Sequence, residues 1–369
     1  MATSLEYDEV IINSGLEGTL GKYWCELGSV CGLNLDLRIC NTSTWDQVMS
    51  SCKYIPVNYT CSSIDFQTAY LQDNINQIQD LSTIIYWDNR PVAIWPISLS
   101  SSNGKNILGS HGMPVHPPLF VNSCPLLTRK NIIKRCLKIA DIFSVKFGVS
   151  SWESSDSFMD SLGLSDWHLA SMNRGATCAI THDLFINLRL SMEEIKNGIR
   201  KSYKSLVSSG LRHWSLGVLE KMDNSVWGQF HDLHVNVAGR KTRSDETWDI
   251  HHRDIGEKRG FLVYLSNEQG GMEGAGFFKF TRDEGLYAVA AYRRDLFDKP
   301  LGHIVQYRAI EELKRRDVRW YKLGRRYFHS DTPKPSDKEV TIAEFKQGFS
   351  THLFPGFKLT HVVLDDGSS

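Results

Sequence analysis

In the stretch "TIAEFKQGF" (341–349), Thr341 precedes Glu344 by three residues, a capping box that predicts a helix beginning there. At about 100° per residue, Ile342, Phe345 and Phe349 share one side of that helix and Lys346 flanks it. A lysine so placed has two uses. It buries its stem and returns its ammonium to water, or it projects into a cleft where a fixed cation meets a negative ligand or a developing oxyanion.

Other cations cluster nearby in sequence. "KRRDVRWYKLGRR" carries seven in thirteen residues: Lys314, Arg315, Arg316, Arg319, Lys322, Arg325 and Arg326. Lys314–Arg316 suit a solvated helix end, where the dipole favours positive charge, whereas Arg325 and Arg326 follow a strand end and suit phosphate. "GRKTR" adds Arg240, Lys241 and Arg243, and "IRKSYK" adds Arg200, Lys201, Tyr203 and Lys204. His231 and His234 stand one turn apart on a predicted helix near Asp232 and Asp249; they are the candidates for a proton acceptor, with ring packing as the alternative use. The pair His251–His252 reads as loop.

Absences narrow the chemistry further. There is no GxSxG elbow, no GxxxxGK[ST] phosphate loop and no HExxH zinc pair, which argues against the common hydrolase, NTPase and zincin classes. Eight cysteines sit between Cys25 and Cys178 without a CxxC pair, so they read as free thiols and small buried hydrophobes, with no metal site. Lys+Arg and Asp+Glu balance at 42 each, so no global charge draws the chain to DNA or an anionic membrane. The opening "MATSLEYDEVIINSG" lacks a basic region followed by an apolar run, and stretches such as "RPVAIWPISL" are too short to span a bilayer. The expectation is a soluble cytoplasmic protein with no transmembrane segment.

The elements that must position these residues form a weak internal duplication. "STIIYWDNRPVAIWPISLSSSNGKNILGSHG" reads as strand, turn at Asp88–Asn89, strand, loop, strand, followed by a helix over about 129–146 and a closing strand in "FGVSSWESSD". "RGFLVYLSNEQGGMEGAGFFKFTRDEGLYAVAAY" repeats that order and leads to a helix over about 302–315 and the closing strand "VRWYKLGRR". Ile132, Ile133, Cys136, Ile139 and Ala140 recur at helical spacing, as do Ile304, Tyr307, Ala309, Ile310 and Leu313. Each half is therefore an antiparallel meander running into a helix and one more strand, an α+β unit used twice. Between them, Ser191 and Glu194 cap a helix ending at Gly210, and "SDTPKPSDKE" (330–339) is a surface loop. The glycines of "GAGFFKF" (274–280) allow either close backbone approach to a ligand or a packed strand.

With "IRKSYKSLVSSG", the block 260–324 closing in "WYKLGRRYF", and "IAEFKQGFSTHLFPG" in place, the chain resembles the FemAB/FemX-like aminoacyl- and acyltransferases. The likeness covers roughly 190–360 well and 80–155 loosely. The first 75 residues match nothing in it, and the cysteine-rich first 61, with five of the eight cysteines, carry no functional reading. It implies two tandem GNAT-like domains with mixed central sheets and flanking helices, 1–188 and 189–369, the second carrying the Phe-Lys motif. It further implies direct transfer of an acyl or aminoacyl group to an amine of a cell-envelope or polysaccharide precursor, without a covalent enzyme intermediate. Phe345 and Lys346 match the family's Phe-Lys pair, so the resemblance makes them the catalytic candidates. Ser350 departs from the signature, standing where glycine usually follows the second Phe.

The donor is aminoacyl-tRNA or acyl-CoA, with no tightly bound cofactor. The R/Q-x-x-G-x-G/A loop of simple GNAT enzymes is missing, because "QGGMEGAG" has the wrong offsets, and a zero net charge suits acyl-CoA better than a whole tRNA. Arg200, Lys201, Tyr203, Arg240, Arg243, Arg325 and Arg326 are the substrate-binding candidates, toward a small-molecule or lipid-linked sugar acceptor or a tRNA acceptor end. An acyl-CoA-dependent N-acyltransferase on a nucleotide-linked amino sugar, and a non-catalytic sugar-nucleotide binder, are the competing readings.

Overall fold

The computed structural model describes residues 17–74, 77–156 and 163–363; the reading of residues 1–15 lies outside them. Helix α1 (Glu17–Val30), strand β1 (Asn34–Leu37) and helices α2 (Thr42–Ser50) and α3 (Cys61–Asn74) precede the short strands β2 (Gln77–Asp80), β3 (Thr83–Trp87), β4 (Arg90–Trp95), β5 (Ser98–Ser102), β6 (Lys105–Gly109) and β7 (Leu119–Phe120). Helix α4 (Leu126–Lys146), β8 (Ser151–Asp156), α5 (Asp166–Met172) and the long β9 (Thr177–Asn187) lead into α6 (Met192–Gly198) and α7 (Lys201–Gly210). Then come β10 (Ser215–Leu219), α8 (Asn224–Ala238), α9 (Asp245–Gly256), β11 (Gly260–Ser266), β12 (Met272–Phe280) and β13 (Glu284–Tyr292). The remaining elements are α10 (Leu301–Arg315), β14 (Trp320–Arg326), α11 (Asp337–Gln347) and β15 (His352–Val362).

The architecture is a mixed α+β arrangement dominated by one eight-stranded sheet in the order β10-β11-β12-β13-β14-β9-β15-β8. Two smaller sheets, β1-β3-β4-β7 and β2-β5-β6, belong to the first half. The β3–β4 hairpin turns at Asp88 and Asn89 with φ of 49° and 58°, the double left-handed geometry of a tight hairpin turn that Asn and Asp tolerate. The expected meander is interrupted after Trp95: Pro96 has no backbone N–H for a ladder, and β5 joins a different sheet from β4. In the second half the meander β11–β12–β13 is continuous and antiparallel.

Helix burial follows the spacing. Ile132, Ile133, Cys136, Ile139 and Ala140 are buried on α4, and Ile304, Ala309, Ile310 and Leu313 on α10. Three local expectations are corrected. Helix α11 starts at Asp337, because Ser336 and Glu339 form the capping box and Thr341 lies a turn inside; an equally good cap stood five residues earlier. The 191–210 helix is two, broken where Ile199 and Arg200 take extended-type backbone angles. His251 and His252 lie within α9, whose buried side includes the polar residues His251 and Asp254, so no clean apolar period announced it.

The cysteine-rich start has a definite role. The turn after β12 receives it: Glu284 accepts from the backbone N–H of Val57 and the Tyr54 hydroxyl, both at 3.0 Å, and Asp283 accepts from Ile55 N–H at 3.0 Å. Thr281 Oγ1 donates to Ile55 O at 2.6 Å and Arg282 to Ser50 O at 2.8 Å. A second tie joins α3 to the sheet, where the buried Lys279 ammonium meets Asp254 at 2.9 Å and Ser62 Oγ at 3.0 Å. Among the described residues all eight cysteines are free, and burial pushes the thiols of Cys25 and Cys61 up to about 11 and Cys52 to about 12. They pack as inert side chains.

Glu284→Ala would strand the Val57 N–H and the Tyr54 hydroxyl in a dry interface, at about 1–3 kcal/mol for each unsatisfied group. The variant is expected to lose about 3 kcal/mol in urea unfolding, and a loss near zero would contradict the clamp. Acid sensitivity follows from buried imidazoles: burial pulls His116 and His251 down to about 3 and His361 to about 4. These folded values lie below the free value, so from about pH 6.5 to 4 the unfolded chain binds more protons. Stability therefore falls as pH drops through that window, by up to about 1.4 kcal/mol per pH unit for each imidazole. Urea midpoints from pH 7 to 4 should show this slope, reduced in His251→Phe.

Candidate functional site

Strands β13 and β14 are parallel neighbours over three pairs only, Glu284–Trp320, Gly285–Tyr321 and Leu286–Lys322. Beyond Leu286 both run on without pairing to each other, which opens a gap in the middle of the sheet. Each strand is irregular at the gap. In β13 the register with β12 slips between Phe277–Val289 and Phe278–Tyr287, leaving Ala288 as the extra residue of a β-bulge. In β14 the register with β9 slips between Lys322 and Gly324, and Gly324 has a φ of 116°, which favours glycine.

Lys346 comes to this gap from α11, which packs on β14. A Cβ built on Gly324 would lie 3.1 Å from the Lys346 ammonium, so the missing side chain is what admits it. Among the described residues that ammonium makes no hydrogen bond or ion pair, and burial alone draws its pKa below the ordinary lysine value. A half-buried cation without a counter-charge is costly to keep. Its chemical capacity is to receive an anion.

Phe345 turns the other way and builds the wall. Its ring packs against Tyr203 of α7, His303 of α10 and Phe349, with centroids 5.9, 5.0 and 5.5 Å away. Tyr203 closes over Gly348 so tightly that any Cβ there would meet the ring at 2.1 Å. Arg200 caps the assembly, its guanidinium 5.1 Å over the Tyr203 ring, while Lys201 beside it is exposed. His303 belongs to the first turn of α10; burial pulls it to about 4, and its Nε2 is enclosed without a partner. Along β13 the hydroxyls of Tyr287 and Tyr292 meet at 2.8 Å, and Tyr321 donates to Gln306 at 2.6 Å, leaving the Gln306 amide nitrogen unpaired.

The structure thus brings Lys346, Phe345, Arg200, Lys201 and Tyr203 together, with Arg325 and Arg326 on the adjoining end of β14. Arg326 is committed to α11, donating to Gln347 at 2.8 Å and stacking on Phe328. Arg325 stacks on Tyr327 with its Nε enclosed and unpartnered. Arg240, Arg243, His231 and His234 lie elsewhere. Arg243 rests on Phe66 and Tyr70 of α3, and Arg240 is exposed in the same turn. His231 and His234 pack on Trp248, and burial draws His234 to about 4. The glycines of "GAGFFKF" make room for rings: side chains at Gly274 and Gly276 would strike Tyr292 and Tyr287. Sequence reasoning missed Gly324, His303, Tyr287 and Gln306, whose only signal is their meeting in space.

Two cavities of about 620 and 640 Å³ lie away from Lys346, one between Gln229, Leu233, Met272 and Arg293, the other between Lys53, Arg189, Arg282 and Arg319. In the second, Arg282 and Arg319 are held by Asp283; unsatisfied charge, not volume, marks the gap as the site. Among the described residues no group of three or more His, Cys, Asp or Glu is placed to hold a metal, and no helix is long and apolar enough to cross a membrane.

No family model and no curated protein matches the chain. Solved structures do. FemX superposes with a TM-score of 0.61 at 10% identity, over 85% of this chain and 94% of that one. The C-terminal domain of a proposed lysylphosphatidylglycerol synthetase from Agrobacterium fabrum gives 0.52 at 10% identity, over 92% of each chain. A conserved protein of unknown function from Bacteroides thetaiotaomicron gives 0.51 at 7% identity, over 86% and 96%. The fold is FemX-like.

Gly324→Ala would place a methyl against the Lys346 ammonium on a backbone that L residues avoid, costing roughly 1–3 kcal/mol in strain. Ligand binding through Lys346 should weaken more than stability accounts for. A variant with wild-type melting and binding would show that the glycine does not admit the lysine.

Proposed function

We propose that this chain, folded as FemX is, transfers an acyl or aminoacyl group to the amine of a cell-envelope or polysaccharide precursor in the cytoplasm, by direct attack. The observation that carries this is the unpaired, half-buried Lys346 ammonium at the gap between β13 and β14. Direct transfer needs a positioned neutral amine, a place for its proton, and stabilisation of the oxyanion that forms at the acyl carbon. As the new C–N bond forms, the donor's C–O or C–S bond breaks and the amine's proton passes to the departing group. Lys346 would neutralise the oxyanion or the leaving group, and the bulge at Ala288 leaves backbone free of the ladder to share that role. Phe345, locked among Tyr203, His303 and Phe349, would hold the turn that aims Lys346.

Arg200 and Lys201, at the start of α7, are suited to a phosphate on the donor or acceptor. The donor is aminoacyl-tRNA or acyl-CoA. The name of the Agrobacterium neighbour supports a lipid-linked acceptor. The division of the chain at 188 and 189 is proposed as one of labour: the second part holds the donor machinery and the first supplies the opposite wall, although β8 and β9 complete the large sheet. A non-catalytic sugar-nucleotide binder is the competing reading, favoured by the two His on α8 being used for packing and not as a base.

Thermal denaturation against coenzyme A, acetyl-CoA, UDP-amino sugars and an aminoacyl-RNA minihelix identifies the donor, since binding at a hundredfold excess over Kd stabilises by about 2.7 kcal/mol. With the donor so named, Lys346→Met should cut kcat by about 100-fold or more while melting as the wild type does. Undiminished turnover in the folded variant, or no response to any donor, would overturn the transferase in favour of the binder.

A further inference from the structure

The gap between β13 and β14 has two faces, and Lys346 serves one. The other carries a set of charges that the proposed donor chemistry does not use. In the register of β14 with β9, Lys322 stands opposite Phe185 and Arg325 opposite Asp183. Phe185 and Asp183 are two residues apart on one strand, so all four side chains share a face. That face also holds Tyr54, Trp320 and Phe354, packed with Phe185, and so looks toward the first half of the chain.

Lys322 hangs 5.8 Å over the Phe185 ring. Burial works against its charge, but Asp183 and Glu284 outweigh it and lift its pKa above the usual lysine value, so it is a cation. Among the described residues neither Lys322 nor Asp183 makes a hydrogen bond or a contact ion pair. Arg325 likewise forms no contact pair, although it faces Asp183 across the ladder and lies within electrostatic reach of Glu339. Lys322 and Asp183 are diagonal neighbours, roughly 7–8 Å apart at the backbone, and a lysine's four-carbon stem can cover that span. Opposite charges in an enclosed space close to contact unless the space between them is kept for something else. Lys322 and Asp183 both keep accessible surface, as groups lining an interior cleft do. Gly356 contributes: a Cβ there would lie 3.1 Å from an Asp183 carboxylate oxygen.

We propose that Lys322, Arg325 and Asp183 form an acceptor subsite for an amine that carries an anionic group close by, either a carboxylate or a phosphate. Asp183 receives the ammonium and takes one of its protons to leave the neutral amine that attacks, and the two cations receive the anion. The subsite rests on the acyl-transfer reading and adds the acceptor's chemical class to it. The break in the sheet begins immediately past Lys322, so an amine held there faces the opening whose far side carries Lys346. Donor and acceptor then enter from opposite faces and meet where the strands part.

The test is binding, independent of turnover. Glycine and phosphoethanolamine carry both groups; glycine methyl ester keeps only the amine and N-acetylglycine only the anion. Protein fluorescence, with Trp320 packed against Phe185 as reporter, would be titrated with each probe for the full chain and for Lys322→Met, Arg325→Gln, Asp183→Asn and Lys346→Met. The expected result is that one bifunctional probe binds at least about tenfold tighter than both single-function probes, a difference of about 1.4 kcal/mol. The tighter of glycine and phosphoethanolamine names the anion. Lys322→Met and Arg325→Gln should erase the advantage over the ester, Asp183→Asn the advantage over N-acetylglycine, and Lys346→Met should keep both. No bifunctional advantage in the wild type, or its survival in folded Lys322→Met and Asp183→Asn, would overturn the subsite. Failure here with a donor still bound at Lys346 would leave the transferase standing. Success here with no donor bound would sink the transferase and leave a binder of amino anions.

Discussion

The carboxylates of Asp283 and Glu284 are the constraint on which the two halves depend. They sit at the turn entering β13, fully enclosed, and accept from the N–H groups of Ile55 and Val57 and the Tyr54 hydroxyl, while Asp283 also holds Arg282 and Arg319. Burial raises the Glu284 pKa even so. A buried carboxylate stabilises only in one geometry, because each lost partner exposes the full desolvation penalty. The pair therefore specifies position more than it adds strength. It sets the first half over the face of β14 that carries Lys322, and the Lys279–Asp254–Ser62 tie fixes α3 at a second point, so rotation about the first is blocked.

The second organising feature is the brevity of the β13–β14 pairing. Parallel neighbours that part after three pairs leave two strand edges inside a sheet, where unpaired backbone is normally intolerable. Here the exposed edges coincide with the bulge at Ala288, the left-handed Gly324, and a row of tyrosine hydroxyls. Polar side chains with spare valences, such as Gln306 and His303, collect at the same place.

The sequence was most legible where local physics decided the outcome. The helical spacings of α4 and α10, the Asp88–Asn89 hairpin and the second-half meander β11–β12–β13 are short-range patterns, and they formed as their residues dictate, whereas the first-half meander broke at Pro96. The Phe-Lys motif pointed through resemblance to one side of the candidate site, and Arg200 and Tyr203 join it because α7 packs against the end of α11, where the Arg200 N–H donates to Gly348 O. Arg240, Arg243, His231 and His234 went elsewhere: helix α8, which carries the histidines, was foreseeable, but the α3 surface that engages Arg243 and the Trp248 that engages the histidines are distant or ordinary in sequence. Asp183 and Lys322 carry no local mark at all, since they become neighbours only through a strand register spanning more than a hundred residues. Start points failed where two caps competed, as at Ser336 and Thr341, and helix α9 was hidden because its buried side is partly ionic.

Strand β15 lies between β9 and β8, pairing with both, and it follows α11 directly. During synthesis β8 and β9 must wait for it, through nearly two hundred residues, before either has that neighbour. The helix carrying Lys346 is anchored at its far end by the same event. The unpaired cation thus sits on the link between the body of the sheet and the last described strand to join it. Pairing across so long a stretch of chain is the kind that slows folding.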